Sequence, residues 1–207
     1  MILTNPPRVL VLGGSLNQPS HSSALALTIA DALTRRGADV QVFDLAEHKL
    51  PIADPRFYRH VDEHPDHETR QLGALADWAD AVVLTTPIYH NSYSGLLKNA
   101  LDHLDASRFE GKPVGLASNG GRQSLTHALD HLRQVIRGLG GLAIPSQVAT
   151  AGPDYRREGD RYVLESPDAL ARVDRLADDL VWYVERLGRR GDEAKAREIP
   201  VLQSAAR

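Results

Sequence analysis

The stretch Ala81 to Asp102, AVVLTTPIYHNSYSGLLKNALD, narrows the choice of fold more than any other part of the chain. Ala81-Val82-Val83-Leu84 is apolar without alternation, so a strand made from it must be covered on both faces, as in a parallel sheet flanked by helices. Pro87 ends the run. A loop through Ile88, Tyr89, His90, Asn91, Ser92 and Tyr93 then passes Gly95 into the helical pattern Leu96-Leu97-Lys98-Asn99-Ala100-Leu101. So many aromatic and apolar groups in one loop either pack on the helix beneath or form a wall for a flat, partly apolar ligand.

The remaining chain repeats that strand-loop-helix pattern. Arg8 to Leu12 reads as a first strand leaving through Gly13-Gly14-Ser15 and a polar segment to Ser23. Leu25, Ile29 and Ala32-Leu33 then recur at helical spacing until Gly37. Val40 to Leu45 makes a second strand, Ala46 to about Pro65 a long loop, and Glu68 to Ala79 a second helix. The helix opened at Leu96 is expected to run to about Asp105. Pro113 to Ser118 is a fourth strand, turning at Asn119-Gly120-Gly121-Arg122. Leu125, Leu129, Leu132, Ile136 and Leu139 mark the helix after it. Leu142 to Ala149, interrupted by Pro145, is a weaker fifth strand suited to a sheet edge. Arg161 to Leu164 is a short extension. A last helix starts at Ser166-Pro167-Asp168, with serine as cap, and stops at Gly188.

Strands and helices in alternation give an α/β fold with a parallel sheet between two helical layers. The loops with unusual polar or glycine content, 13–23, 86–95 and 118–123, follow strands one, three and four. The order 2-1-3-4-5 sets those strands side by side, so that their loops converge at the switch point; the order 3-2-1-4-5 would send strand three to an edge. The expectation is therefore a flavodoxin-like doubly wound, five-stranded sheet forming one domain over residues 1–188. Residues 189–207, poor in apolar groups, are expected to be a poorly ordered tail.

A chain of 207 residues can bury roughly 70 % of its unfolded surface without staples. With no cysteine, disulfides, thiolate catalysis and sulfur-ligated metal are excluded. Lys and Arg number 24 against 27 Asp and Glu, a formal charge of −3 that argues against nucleic acid as main partner and against an acidic electron-carrier surface. The N-terminal residues lack the basic start and long apolar run of a signal peptide, and no segment has the length to span a membrane; a cytoplasmic protein is expected.

Ser15, Ser20, Ser22 and Ser23 surround a helix start, where free N–H groups and the helix dipole favour an anion. One serine would satisfy the helix cap; four suit a monophosphate held by hydroxyls and amides. Neither G-x-G-x-x-G nor G-x-x-x-x-G-K-[ST] is present, so the dinucleotide and Walker loops do not apply. Gly120 and Gly121 could admit backbone amides close to a ligand, although such pairs also serve plain turns.

These segments, GSLNQPSHSSAL (14–25), TPIYHNSYSGLLKNALD (86–102) and SNGG (118–121), resemble the NADPH-dependent FMN reductase family, and especially its sulfonate-utilisation FMN reductases, over about residues 8 to 185. The resemblance implies hydride transfer from NADPH or NADH to FMN and on to a small acceptor such as a quinone or azo compound. It implies that Ser15, Ser20, Ser22 and Ser23 surround the FMN phosphate and that Pro87, Ile88, Tyr89 and His90 flank the isoalloxazine. Ser118, Gly120 and Gly121 would lie along its pyrimidine edge. It also implies a homodimer or homotetramer whose neighbour covers part of the flavin. Asn17, in the same loop, stands where the family usually has arginine, which removes a fixed charge near the phosphate. The free-flavin reductases that supply a monooxygenase partner carry an extra tyrosine in the helix after the Gly-Gly turn. Leu129-Asp130-His131-Leu132 has none, so the chain is expected to retain its flavin, as quinone and azo-dye reductases do.

Flavin carries the difficult chemistry, so no catalytic side chain is assigned. A flavodoxin-type electron carrier is the rival from another class, and the near-neutral charge disfavours it. A response-regulator module would need aspartates where Gly13-Gly14 and Thr85-Thr86 stand. A serine hydrolase would need G-x-S-x-G, and Leu116 occupies the first glycine position. His60, His64 and His67 in a charged loop, and His127 and His131 on a helix away from its leucine stripe, are read as solvent or interface residues and not as metal ligands.

Overall fold

A computed structural model describes residues 5–121 and 126–187. The expected tail 189–207 and the helix position Leu125 lie outside the described residues. Five parallel strands, β1 (Arg8–Gly13), β2 (Asp39–Asp44), β3 (Ala81–Pro87), β4 (Pro113–Asn119) and β5 (Leu142–Thr150), stand in the order β2-β1-β3-β4-β5. The order is the flavodoxin-like one expected from the loops.

Strand periodicity divides the core in two. Val9 and Val11 of β1 and Ala81 and Val83 of β3 face α1 (His21–Thr34) and α5 (Pro167–Leu187). The alternate residues Leu10, Leu12, Val82 and Leu84 face α2 (His67–Trp78), α3 (Gly95–Asp102) and α4 (His127–Gly138). Each fully buried leucine or isoleucine, such as Leu25 and Ile29 of α1, stabilises the fold by about 1.5–3 kcal/mol relative to exposure. The continuous apolar run of β3 thus follows from its central place, where all seven residues are buried.

Several boundaries differ from the sequence expectation. α1 begins at His21, so Ser22 and Ser23 belong to its first turn; Ser20 is the N-cap, accepting the Ser23 N–H at 3.0 Å. α3 ends at Asp102, short of Asp105. Segment 161–164 is not a lone extension but strand β7 (Arg161–Leu164), paired antiparallel with β6 (Tyr155–Glu158). Gly159, at φ +61°, opens the two-residue turn between them, a conformation that suits glycine. β5 forms the sheet edge, and its register against β4 shifts between Val114 and Leu116, across the segment holding Pro145. Proline, having no N–H to donate, is accommodated there. Arg133 of α4 closes this irregularity by donating to the Ile144 carbonyl at 2.9 Å and the Gln147 side chain at 2.7 Å.

The long loop after β2 is fastened to α3. Asn99 donates to Pro51 O at 2.8 Å and accepts from Ala53 N at 2.9 Å, and the His103 ring nitrogen lies 3.0 Å from Pro51 O. His64 is buried with its ring edge-on to His103, centroids 5.4 Å apart. That burial within the chain departs from the solvent or interface position expected of it, whereas His60 and His67 are exposed. Among the described residues no group of His, Asp and Glu could hold a metal ion, and no helix is long and apolar enough to cross a membrane.

Candidate active site

Parallel register brings Gly13 of β1 opposite Thr85 of β3, and Thr86 opposite Ser118 of β4, so the three loops leave the sheet together. Gly14 runs hard against its neighbours: its N–H donates to Thr85 O at 2.8 Å, and a Cβ there would lie 2.9 Å from both Thr85 O and Leu97 Cβ. Only glycine fits so close an approach. Ser94, buried at the start of α3, accepts the Leu97 N–H at 3.1 Å as N-cap and donates its hydroxyl to Gly14 O at 2.6 Å. The Ser94 N–H in turn donates to Thr86 Oγ1 at 3.0 Å. The first two loops are thereby one hydrogen-bonded unit.

The loop after β3 is a tight ribbon. Tyr89 and Ser92 exchange backbone hydrogen bonds of 2.9 and 3.0 Å around His90 (φ 49°) and Asn91 (φ 63°), the two positive-φ positions of a type I′ turn. His90 therefore sits exposed at the tip, and among the described residues it is not part of the crevice wall. Ile88 N donates to Asn119 O at 2.9 Å, joining the ribbon to the loop after β4.

A crevice of about 300 Å³ opens at this junction. Ser15, Asn17, Pro19, Ser20, His21 and Ser22 form one side, and Pro87, Ile88 and Tyr89 the other. Asn119 and Gly120 close the end, and Tyr162 enters from β7. Of the residues singled out in the sequence, Ser15, Asn17, Ser20, Ser22, Pro87, Ile88, Tyr89 and Gly120 are brought together here. Ser23 faces a neighbouring groove of about 810 Å³ between α1 and the β6–β7 hairpin. Ser118 is fully buried in β4, and Gly121 is exposed beyond the crevice. Pro19, His21, Asn119 and Tyr162 line the crevice without having been expected to.

The serines divide their work. Ser20 is committed to capping: its hydroxyl donates to Ser23 Oγ at 2.9 Å while accepting the Ser23 N–H. Ala24 N–H already closes on Ser20 O at 3.1 Å, which leaves the His21 and Ser22 amides as the first-turn donors the helix does not use. Ser15 Oγ accepts from Asn17 N at 3.3 Å and fixes the loop before the cap. Gly120 has a different reason from the one its type implied. Its N–H is bound to Thr150 O at 3.0 Å, and a Cβ would strike Ile88 Cβ at 2.8 Å, so the glycine admits the Ile88 side chain instead of offering an amide.

Behind the crevice runs a polar chain. Thr150 Oγ1 donates to Ser118 O at 3.1 Å, receives Asn119 Nδ2 at 3.2 Å and lies 2.8 Å from the Tyr155 hydroxyl. Burial raises the Tyr155 phenol well above its ordinary range, so it is a neutral donor or acceptor. The His21 ring lies between Tyr155 and Tyr162, at centroid distances of 4.7 and 4.0 Å, and burial lowers its pKa.

The arrangement fits a flavin mononucleotide. Two unused helix-start amides with serine hydroxyls suit a phosphate, and Tyr89, 47 % exposed beside Pro87 and Ile88, offers an apolar face at the crevice lip. Such a crevice at the switch point of a 2-1-3-4-5 sheet defines the class of flavodoxin-like, mononucleotide-binding α/β proteins. More narrowly, the sequence matches the NADPH-dependent FMN reductase family over residues 7–153, and the chain belongs to that family. It is an NAD(P)H-dependent flavin oxidoreductase with FMN as cofactor. The chain is 36 % identical over 177 residues to the FMN-dependent NADPH-azoreductase of Staphylococcus saprophyticus subsp. saprophyticus, covering 85 % of this chain and 94 % of that protein. It is 37 % identical over 176 residues to the same-named protein of Staphylococcus aureus, covering 84 % and 94 %. The fold is similar to that of the flavoenzyme NAD(P)H:(acceptor) oxidoreductase of Paracoccus denitrificans, with TM-score 0.69, 21 % identity, and coverage of 88 % and 99 %.

Proposed function

We propose that this crevice holds FMN with its phosphate against the start of α1 and its ring on the Pro87–Tyr89 wall, and that the enzyme reduces azo compounds and quinones at that ring. When bound, FMN supplies the two-electron chemistry, taking hydride from NADPH and giving it up to the acceptor. The protein's part is to bind and orient. The His21 and Ser22 amides and the Ser15 and Ser22 hydroxyls would fix the phosphate, and Ser94 keeps the first two loops at constant separation. Tyr89 and Ile88 would exclude water from one ring face while leaving the other open to donor and acceptor in turn. The observation that carries the reading is the meeting of unused amides and an exposed tyrosine in one crevice.

Location, assembly and acceptor follow from the family resemblance. A cytoplasmic location and a homodimer or homotetramer fit it, and the exposed Ile52 and Tyr89 offer apolar surface to a second copy. A small acceptor is favoured over a monooxygenase partner because α4 runs as one α-helix from His127 to Gly138. The purified protein should be yellow and should oxidise NADPH on addition of an azo dye or a quinone. A colourless protein that neither binds FMN nor oxidises NADPH would overturn the reading.

A further inference from the structure

Among the described residues lining the crevice there is no lysine or arginine, and His21 is the one able to carry positive charge near neutral pH. Asn17 offers no charge, so of these residues only His21 could add a countercharge to the dipoles and hydroxyls that a phosphate at the start of α1 would meet. The His21 ring is held at that spot. It is the first residue of α1 and packs between Tyr162 at 4.0 Å and Tyr155 at 4.7 Å; Tyr155 is itself tied to Thr150 Oγ1 at 2.8 Å.

The first turn of α1 has no acid and the 14–20 loop contributes no titratable group. The hairpin presents the two tyrosines to the ring and carries Glu158, Asp160 and Arg161 on the adjoining groove, and burial is the one cause that shifts the His21 pKa. The remaining neighbour is the Gly152–Asp154 turn, where Gly152 faces His21 Cε1 and the Asp154 carboxylate accepts the Ala151 N–H at 2.8 Å. Burial and the positive end of the helix dipole both disfavour an imidazolium until an anion binds beside it.

We propose that His21 is a proton-linked countercharge for the flavin phosphate, neutral in the free protein and protonated from solvent when the phosphate binds. The proposal rests on the reading that the crevice holds that phosphate. FMN binding would then take up a proton at His21, and affinity would fall as pH rises, by up to about tenfold per pH unit between the free and bound pKa. The phosphate's own ionisation, near 6, contributes equally to wild type and variant and cancels in the comparison.

The test uses full-length apoprotein, with flavin fluorescence quenching as readout, and compares FMN with riboflavin for wild type, His21→Phe and His21→Gln. Phenylalanine keeps the ring packing and removes the proton; thermal melts establish that each variant is folded. Calorimetry in buffers of different ionisation heat counts protons, and NMR titration of the His21 Cε1 proton in wild type, with and without FMN, needs no variant at all. Expected are a His21 pKa raised by FMN, proton uptake lost in both variants, a flatter FMN affinity profile in the variants, and riboflavin binding unchanged in its pH dependence. A His21 pKa unmoved by FMN, with equal proton uptake in wild type and variants, would overturn the countercharge while leaving tight FMN binding intact. Equal affinity of wild type for FMN and riboflavin would overturn the phosphate placement, and the countercharge with it.

Discussion

Ser94 donates its hydroxyl to the carbonyl of Gly14 at 2.6 Å, across 80 residues of chain, while accepting the Leu97 N–H as the cap of α3. One buried side chain thus caps a helix and sets the spacing between the two loops that would receive the phosphate and the ring. Its removal leaves two buried backbone groups without their partner. Ser94→Ala should destabilise the fold by roughly 2–4 kcal/mol, the sum of a lost cap and an unsatisfied buried carbonyl. Urea denaturation measures the first effect. FMN titration measures the second, a weakened affinity that an isolated surface-cap loss would not produce.

Gly120 and Ile88 form a second coupled pair, because a Cβ on the glycine would lie 2.8 Å from Ile88 Cβ. Gly120→Ala should cost about 1–3 kcal/mol of overpacking. Trimming the partner in the double variant Ile88→Ala/Gly120→Ala should recover part of that cost, giving less than the sum of the singles. Additive thermal-melt losses would mean that the glycine serves something other than room for isoleucine.

The serines make separable predictions. Ser20 caps α1, so Ser20→Ala should lower stability by about 1 kcal/mol and disturb FMN binding only through the helix start. Ser22 is 3 % exposed, and no side-chain bond of it stands out among the described residues. Ser22→Ala should weaken FMN by about 1–2 kcal/mol, a hydrogen bond to a charged group, and leave riboflavin unaffected. Equal losses for FMN and riboflavin would place the Ser22 hydroxyl away from the phosphate.

Acid should loosen the loop after β2. Burial lowers the pKa of His103, with the Pro51 carbonyl opposing and His64 adding to the shift; Asp66 and Asp102 oppose it more weakly. His64 receives the Asp66 N–H on its Nδ1 at 3.1 Å, so that nitrogen is unprotonated in this arrangement. A histidine whose folded pKa is depressed binds more protons unfolded than folded. Stability is then full above the unfolded value near 6.5 and falls as pH drops towards the folded one, by up to ~1.4 kcal/mol per pH unit per proton. His103→Gln, which keeps a donor for Pro51, should flatten the fall in denaturation free energy below pH ~6.5. An unchanged slope would assign acid sensitivity to other groups, His21 first among them.

The sheet was legible because burial on both faces leaves a residue-level mark. Runs such as Val9–Leu12 and Ala81–Leu84 can sit only inside a covered sheet, and the polar loops after β1, β3 and β4 chose the strand order. The start of α1 was less legible because His21, Ser22 and Ser23 are polar, and periodicity becomes visible only at Leu25. The β6–β7 hairpin was hidden by its exposure: Arg156, Arg157 and Glu158 face solvent and show no alternation. The Gly159-Asp160 pair before Arg161-Tyr162-Val163-Leu164 was the available turn signal. Missing the hairpin meant missing Tyr162, and with it the ring contacts that hold His21, which join residues about 140 positions apart and leave no local trace. His90, which the family resemblance sets beside the ring, shows what residue pattern alone leaves out: the reciprocal Tyr89–Ser92 hydrogen bonds carry it to the tip of a turn.

The retained-flavin and free-flavin readings differ in kinetics, and α4 is where the chain takes a side. Leu129, Leu132 and Ile136 are all buried at regular helical spacing, so the helix presents an uninterrupted face to the core beneath the third loop. A flavin kept in the crevice under a neighbouring copy would accept and release hydride in alternating half-reactions at one place. Initial rates with NADPH and a quinone should then give parallel double-reciprocal lines, with FMN copurifying and added FMN leaving the rate unchanged. An azo dye should consume two NADPH per bond cleaved, against one per quinone, because full reduction of N=N to two amines takes two hydride equivalents. A reductase that released its flavin would purify nearly colourless, saturate with added FMN and give intersecting lines. That outcome would show that the continuity of α4 does not decide whether flavin stays, and that reduced FMN is itself the product handed on.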